Sequence, residues 1–590
     1  MTRPTRLGAA LEVIVAAIAM ALVAGLAEVA IDGFRHFVLH RFVMTGVDVV
    51  WLAPAGTALF MLVAAVPLAL VVAASPGPGT RRIVTGLLAL MAWFSILTGF
   101  RELHHYASLV LAAGLAWRTA SFAVSHPERW RIVMRRSAVG TAVVTAVLGL
   151  GNAVRLRLVE QQWEREVAAR PARAPNILLL ILDTVRAANL HTYGYARATS
   201  PAIDRLAAEG VVFDRAIAPS SWTLPTHASL FTNRRPGELS ARYDTPFDGS
   251  VPTLAEALRD RGYRTAGFTA NLNYTSRESG LAAGFTHYDG YRLTFRQLML
   301  SAPLAQVRMM RAIRAARTRR GLANALLRFD LERPFEPKRD PKPASLVRRE
   351  FQSWLDGNDR RPFFAFLNFF DAHDPNPAPP AFDTLFTSAP QPVDRYDRLI
   401  AAIDHEIGLI VSDLGRRGEL DRTIIVVTSD HGEHFGEHGL NGHGNSLYLE
   451  LLHVPLVVRY PGAVPRGVRV PGPVPLAEVG PTLFRLAGLD APVAFHGRSL
   501  TEHWAPHGPG GEPVFSEVEQ LPVGESRAPA STGPMRSVVD GDWQFIRNGD
   551  GTEELYNIAA DPSQQHNLAS AETGLTARLR AIAEAVRSGY

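Results

Sequence analysis

Two short runs carry residue types that ester chemistry needs. In Ser220-Ser221-Trp222-Thr223-Leu224-Pro225-Thr226-His227 a threonine hydroxyl stands two residues ahead of a proline, and the run reads as a helix start with Thr223 as its cap. A hydroxyl at a helix N-terminus faces backbone N–H groups and the positive end of the dipole, a setting suited to a tetrahedral anion. Plain capping explains the same pattern without chemistry. Threonine is a poor nucleophile unless metal coordination lowers its pKa. The second run, Ser429-Asp430-His431-Gly432-Glu433, closes an apolar stretch with a carboxylate and an imidazole. With Asp183, which closes another, Asp430 and His431 form a mixed oxygen and nitrogen donor set. That set suits one Zn²⁺ or Mn²⁺ ion better than Ca²⁺, whose ligands are all oxygen. Thr223 completes it, and the expected chemistry is metal-assisted attack on a phosphoryl or sulfuryl ester.

Further candidates stand on other loops. His373, in Asp371-Ala372-His373-Asp374-Pro375, and His443, in Gly442-His443-Gly444, are expected to protonate the leaving group and contact the oxyanion. A loop histidine is otherwise an ordinary surface residue. Asp371 and His227 are expected to touch substrate. His434-Phe435-Gly436-Glu437-His438 formally fits the H-x-x-E-H protease pattern, which needs a helix to bring both imidazoles to one face. Glycines at 432, 436, 439, 442 and 444 argue against that helix, each interior one costing about 1 kcal/mol, and the protease reading is rejected.

These residues must be positioned by strands and helices. Asn176–Leu182, Arg264–Thr269, Phe363–Phe369, Thr423–Thr428 and residues 455–460 are near-continuously apolar, as strands buried on both faces of a mostly parallel sheet are. Helical patterns at 200–209, 251–261, 346–355 and 396–416 separate them, giving an α/β layered architecture. Three strands run directly into Asp183, into Asp371 and His373, and into Asp430 and His431. Open α/β sheets bind ligands beyond the carboxyl ends of their strands, so this convergence marks a site. The Arg536 to Arg547 and Glu554 to Ile558 stretches read as a small C-terminal sheet, closed by a helix at 571–587.

The chain of 590 residues is too long for one ordinary domain, and its apolar fraction of 47% is high for a purely soluble protein. Apolar stretches at 8–31, 47–74, 83–100, 107–125 and 138–154 approach the length of about 20 residues that spans a bilayer. A cleavable signal peptide is a poor alternative, because four more stretches follow the first. Arg3 and Arg6, Arg81 and Arg82, and Arg129, Arg131, Arg135 and Arg136 flank alternate loops; Arg35 and Arg41 weaken the asymmetry a little. By the positive-inside rule the N-terminus is cytoplasmic, and five spans place the rest outside. Glu12, Glu28, Asp48 and Arg118 mark either a polar pathway or side chains snorkelling from span ends. The expected layout is a transmembrane domain at 1–156, a linker at 157–174, a catalytic domain at 175–507 with an insertion at 292–345, and a C-terminal subdomain at 508–590. Within the insertion, Arg308, Arg311, Arg314, Arg317, Arg319 and Arg320 lie among Met309, Met310, Ile313 and Leu322. Such a helix could rest on anionic headgroups or lie on a solvated surface. Net charge +5 is mildly basic, but no nucleic-acid-binding signature is present, so nucleic acid is not an expected partner. The absence of cysteine excludes disulfides and thiolate chemistry.

The motifs from residue 175 to about 570 resemble the sulfatase branch of the alkaline phosphatase superfamily. The resemblance is carried by Pro175-Asn176-Ile177-Leu178-Leu179-Leu180-Ile181-Leu182-Asp183, Thr223-Leu224-Pro225-Thr226-His227, Thr428-Ser429-Asp430-His431-Gly432-Glu433 and His496-Gly497-Arg498-Ser499-Leu500. It continues through Glu554-Leu555-Tyr556-Asn557-Ile558-Ala559-Ala560-Asp561-Pro562 to Asn567-Leu568. It implies an alkaline-phosphatase-like α/β catalytic domain with a small C-terminal sheet and helix. It also implies Asp183, Asp430 and His431 as metal ligands, Thr223 as nucleophile, and His373 and His443 at the substrate. Sulfatases carry Cys or Ser in a C/S-x-P-x-R motif and oxidise it to formylglycine. Here Thr223 is a secondary alcohol that cannot become an aldehyde, and His227 replaces the arginine. Asp183-Thr184 stands for an Asp-Asp pair and Asp430-His431 for Asp-Asn. These changes resemble the membrane-anchored phosphoryl transferases of the superfamily, such as lipoteichoic acid synthases and lipid A phosphoethanolamine transferases. The expectation is a phosphoryl-ester hydrolase or transferase at the outer face of the bacterial inner membrane, acting on a lipid or glycan ester. A sulfatase working without formylglycine, and a catalytically weakened binding protein, are the alternatives.

Overall fold

The computed structural model describes residues 5–39, 46–100, 103–166, 174–290, 294–302, 342–357, 361–373, 377–388, 391–505, 511–521 and 528–586. The chain divides into two compact units: Met1–Val159 with Arg292–Asp340, and Glu160–Tyr291 with Pro341–Tyr590.

In the first unit, α1 (Arg6–Phe37), α2 (Val49–Ala74), α3 (Pro78–Thr98), α4 (His105–Ser125) and α5 (Pro127–Glu166, which runs on into the second unit) correspond to the five apolar stretches. All five are long and apolar enough to cross a membrane. Small residues allow close packing: a Cβ on Gly25 of α1 would lie 2.3 Å from Pro54 Cα of α2, closer than real contacts come. The fifth helix starts well before the expected 138. Pro127 sits at its N-terminus, where the missing N–H costs nothing, so the polar stretch expected as a loop is helical. Two of the charges expected at span ends, Glu12 and Asp48, have partners there. Arg131 Nε lies 2.9 Å from Glu12 Oε1, and Asp48 Oδ1 accepts from Trp51 Nε1 at 3.1 Å and from Asn152 Nδ2 at 3.2 Å. The start of the insertion belongs to this unit: the helix Phe295–Leu300 packs on α2, where Ser301 Oγ donates to Leu52 O at 2.7 Å. The basic stretch from Arg308 to Leu322 lies outside the described residues, as does the proline-containing end of the expected linker.

The second unit is built on a mixed sheet. Its strands are β1 (Asn176–Leu182), β2 (Val211–Ile217), β3 (Arg264–Thr269), β4 (His287–Asp289), β5 (Phe363–Phe369) and β6 (Thr423–Thr428). Beyond a hairpin of β7 (His434–Phe435) and β8 (Asn441–Gly442) come β9 (His453–Val454), β10 (Leu456–Arg459) and β11 (Val468–Pro475). The spatial order is β11-β2-β10-β6-β1-β5-β3-β4, with β9 beside β2. β1 lies at the centre, parallel to β5 and β6, which is why its seven residues are all buried. The strand expected at 455–460 is antiparallel to both β2 and β6, so the sheet is mixed. β2 and β11 escape the apolar-run test because Asp214 and Arg215 interrupt one and prolines the other.

Side chains alternate across β1 and both faces are covered. Leu178, Leu180 and Leu182 join one cluster with Ile203, Leu206, Val347, Phe351, Trp354, Leu399 and Ile403 from the flanking helices α6 (Pro201–Ala208), Ala344–Asp356 and Gln391–Arg416. On the other face Phe366 of β5 packs edge-on against Phe231 at 5.0 Å, and Phe364 stacks on Phe285 at 5.6 Å. Burying each such side chain stabilises the fold by about 1.5–3 kcal/mol, which is what makes β1 a rigid platform for the residue that follows it. Strands β12 (Val514–Val518), β13 (Met535–Asp540), β14 (Trp543–Arg547) and β15 (Glu553–Asn557) form a separate antiparallel sheet. The helix Thr573–Ala585 closes it through Leu579 and Ala583.

Candidate active site

Asp183 follows β1, Asp371 and His373 follow β5, and Asp430 and His431 follow β6. Parallel pairing of β1 with both neighbours brings these strand ends together. Thr223 arrives from β2 at the start of the helix α7 (Thr223–Thr232). The cap position belongs to Trp222, one residue earlier than expected, so the Thr223 side chain is freed from capping.

Asp183, Asp430 and His431 are almost wholly buried, and each offers a ligand atom within 4.8 Å of the others. Asp183 Oδ2 accepts from Asn271 Nδ2 at 2.8 Å and Asn368 Nδ2 at 3.4 Å, while Oδ1 has no hydrogen-bond partner. Asp430 Oδ1 accepts from the Thr184 and His431 backbone N–H groups at 3.1 and 2.9 Å, and Oδ2 is likewise without a hydrogen bond. Burial, then the neighbouring Asp430 charge, pushes the Asp183 carboxyl well above its usual range. Burial raises Asp430 to about 7. His431 completes the set: its Nδ1 pairs with Gly432 O at 2.9 Å, and its Nε2 lies 3.2 Å from Thr223 Oγ1. Because a carbonyl only accepts, Nδ1 carries the proton and Nε2 turns a lone pair inward. Two buried carboxylate oxygens without partners and an inward lone pair fit a divalent cation, since orphaned charge at such depth is otherwise costly.

The backbone around this set is strained and braced. Thr184 has φ 62°, a left-handed conformation that is an outlier for a β-branched residue and costs on the order of 1–3 kcal/mol. It is held there by Tyr396, whose hydroxyl donates to Thr184 O at 2.6 Å and accepts from Arg186 N at 2.9 Å. The strain turns the Thr184 N–H onto Asp430.

His373 and His443 lie beside the first set. Their ring centroids are 5.0 Å apart, and His443 is 4.5 Å from His431. His443 Nδ1 is 3.2 Å from Glu433 Oε1. Burial depresses both imidazoles, His373 to about 3 and His443 to about 4, so both are neutral at physiological pH. Trp222 forms the adjoining wall, 5.0 Å from the His443 ring and 5.0 Å from Tyr243. Gly444, at φ 76°, leaves room for that indole: a Cβ there would stand 2.2 Å from it.

One residue expected to touch substrate is engaged elsewhere. Both Asp371 oxygens accept from Ala344 N, at 3.1 and 2.9 Å, so this carboxylate caps the helix Ala344–Asp356. His227 is fully buried; its Nδ1 pairs with Thr223 O at 2.8 Å within α7 and lies 3.7 Å from Asp430 Oδ2, and its ring packs on Phe366. Burial lowers it to about 4.

The sulfatase family model matches residues 175–489. The chain belongs to the sulfatase family. The steryl-sulfatase of Rattus norvegicus is 26% identical over 58% of this chain and 73% of that protein. The ulvan-active sulfatase of Formosa agariphila is 24% identical over 75% of this chain and 85% of that protein. A phosphonate monoester hydrolase of Agrobacterium radiobacter shares the fold, with TM-score 0.52 and 22% identity over 70% of this chain and 94% of that one. This sulfatase-family member is thus an ester-cleaving hydrolase of a metal-dependent family. Asn271, Asn368, Tyr396 and Glu433 escaped the motif reading of this sulfatase-family site. Only Glu433 had a signal, its place in the Asp430-His431-Gly432-Glu433 run. The asparagines follow or end strands whose register alone brings them to Asp183.

Proposed function

We propose that the chain is a membrane-tethered, metal-dependent phosphoryl-ester hydrolase or transferase that uses Thr223 as its nucleophile. The observation that carries this reading is the pairing of Thr223 Oγ1 with His431 Nε2 at 3.2 Å, beside two carboxylate oxygens without hydrogen bonds. One divalent ion, Zn²⁺ or Mn²⁺ by its mixed donor set, would be held by Asp183, Asp430, His431 and Thr223. When bound, it lowers the hydroxyl pKa and offsets the charge of the phosphoryl group. Thr223 Oγ1 would then attack phosphorus, the bond to one ester oxygen breaks and that group leaves as an alcohol with the Thr223 proton, and the phosphoryl group stays on Oγ1 with its other substituent. Water or an acceptor hydroxyl breaks the Oγ1–P bond and restores Thr223. His431, its Nδ1 tied to Gly432 O, would present Nε2 to the ion beside Thr223, while His373 and His443 serve the leaving oxygen from the neighbouring wall.

Phosphoryl rather than sulfuryl chemistry is favoured by Thr223, which cannot supply an aldehyde, and by His227, an imidazole where the sulfatase motif has an arginine. The substrate class is a phosphodiester on a lipid headgroup, consistent with five helices able to cross a bilayer ahead of the hydrolase. The arginine pattern supports a cytoplasmic N-terminus in a bacterial cell and a catalytic unit outside the inner membrane. The test is turnover by the detergent-purified full chain: phosphodiester lipids are consumed, and Thr223→Ala abolishes this. Aryl sulfate turnover that survives Thr223→Ala would overturn the reading.

A further inference from the structure

We propose that His373, Glu433 and His443 bind a second divalent cation next to the Asp183, Asp430 and His431 site, making the catalytic centre binuclear. The inference rests on the metal-binding reading of that first site and specifies how His373 and His443 serve the leaving oxygen. Each of the three residues offers one ligand atom, and these atoms lie within 4.8 Å of one another. Two imidazoles and one carboxylate are a donor set that holds zinc in open catalytic sites, where a further position is left for substrate. The burial pattern matches: Glu433 is buried, whereas His373 and His443 are half-buried.

The set is built in advance of any ion. Arg186 Nε donates to Glu433 O, which fixes the loop after β6. Gly442 and Gly444, at φ 79° and 76°, bend the chain on both sides of His443 in a way side chains rarely allow. The His443 ring is then wedged between Trp222 at 5.0 Å, His373 at 5.0 Å and His431 at 4.5 Å, with Nδ1 between both Glu433 oxygens at 3.2 and 3.3 Å. Holding an imidazole this way beside a buried carboxylate is second-site architecture, and a solvated loop histidine needs none of it.

Charge gives a separate reason. Asp183, Asp430 and Glu433 bring three carboxylates to a pocket that must accept an anionic ester. The nearby guanidinium of Arg186 is turned to Glu433 O and to Glu437 Oε1, at 2.8 Å for the latter. One divalent ion leaves these carboxylates in excess, and two reverse the sign. Two adjacent ions also suit an in-line displacement, one at the attacking oxygen and one at the leaving oxygen.

The experiment titrates the metal-free full chain in detergent with Zn²⁺ and counts bound metal by mass spectrometry. It is repeated with Mn²⁺ under electron paramagnetic resonance. Wild type is expected to hold two equivalents and to show a spin-coupled Mn²⁺ pair. His443→Ala, His373→Ala and the shape-conserving Glu433→Gln are each expected to hold one equivalent and show isolated Mn²⁺, with thermal unfolding confirming that they fold. A single wild-type equivalent, lost in Asp430→Asn and kept in His443→Ala, overturns the second site and leaves the first standing. No bound metal in wild type overturns both.

Discussion

His431 presents Nε2 to Thr223 Oγ1 at 3.2 Å while its Nδ1 is tied to Gly432 O at 2.9 Å. One bond fixes the tautomer and the other aims it, so a buried imidazole, lowered to about 4, enters the site neutral. The hydroxyl it faces is the central chemical group of the account. Thr223→Ala is expected to lower kcat by on the order of 10³-fold or more. Thr223→Ser keeps a hydroxyl in the same place and is expected to retain activity when expressed without any maturation enzyme. Steady-state kinetics on both variants measure this directly.

Asn271 donates to Asp183 Oδ2 at 2.8 Å and orients the carboxylate so that Oδ1 points away without a partner. Asn271→Ala is expected to weaken metal affinity by about 10–100-fold, as loss of a ligand's hydrogen-bond partner does. Calorimetric titration of the metal-free chain reads this, and unchanged affinity would remove Asn271 from the metal account.

His227 donates within its own helix and turns its ring to Phe366. His227→Phe therefore loses one buried hydrogen bond, worth about 1 kcal/mol of stability. A lowered Tm with KM unchanged is the expected pair of results. A large rise in KM would return His227 to the substrate.

Asp404 accepts the N–H groups of Ala202 and Ile203 at the start of α6, at 2.8 Å each, and burial pushes its carboxyl up from 3.8 to about 7. The folded state thus holds a proton that the unfolded chain releases between about pH 4 and pH 7. Its contribution to stability is fully present below that window, declines as pH rises through it, and is level above. Asp404→Asn cannot ionise, so its unfolding midpoint should fall less than that of wild type across the same interval. Parallel pH profiles would contradict the assignment.

What the sequence disclosed follows from what its patterns encode. β1, β3, β5 and β6 are central and buried on both faces, so apolar runs reveal them with the bounds observed. β2 escaped because a partly exposed Asp214-Arg215 pair breaks its run, and β10 reads as parallel because direction leaves no mark on composition. Asp183, Asp430 and His431 were legible because each follows a visible strand. Asn271 and Asn368 were not, because only the register of β3, β5 and β1 carries them to Asp183. Asp371 looked like a site residue by the same strand-end logic, yet an adjacent helix N-terminus claims its carboxylate.

The most direct test is the mass of the Thr223 peptide after the full chain is incubated with phosphodiester lipids and quenched in acid. The expected result is a phospho or phospho-headgroup adduct on Thr223 that is absent from Thr223→Ala and diminished in Asp430→Asn. A sulfo adduct from sulfate esters, or turnover with no covalent intermediate on Thr223, would contradict it.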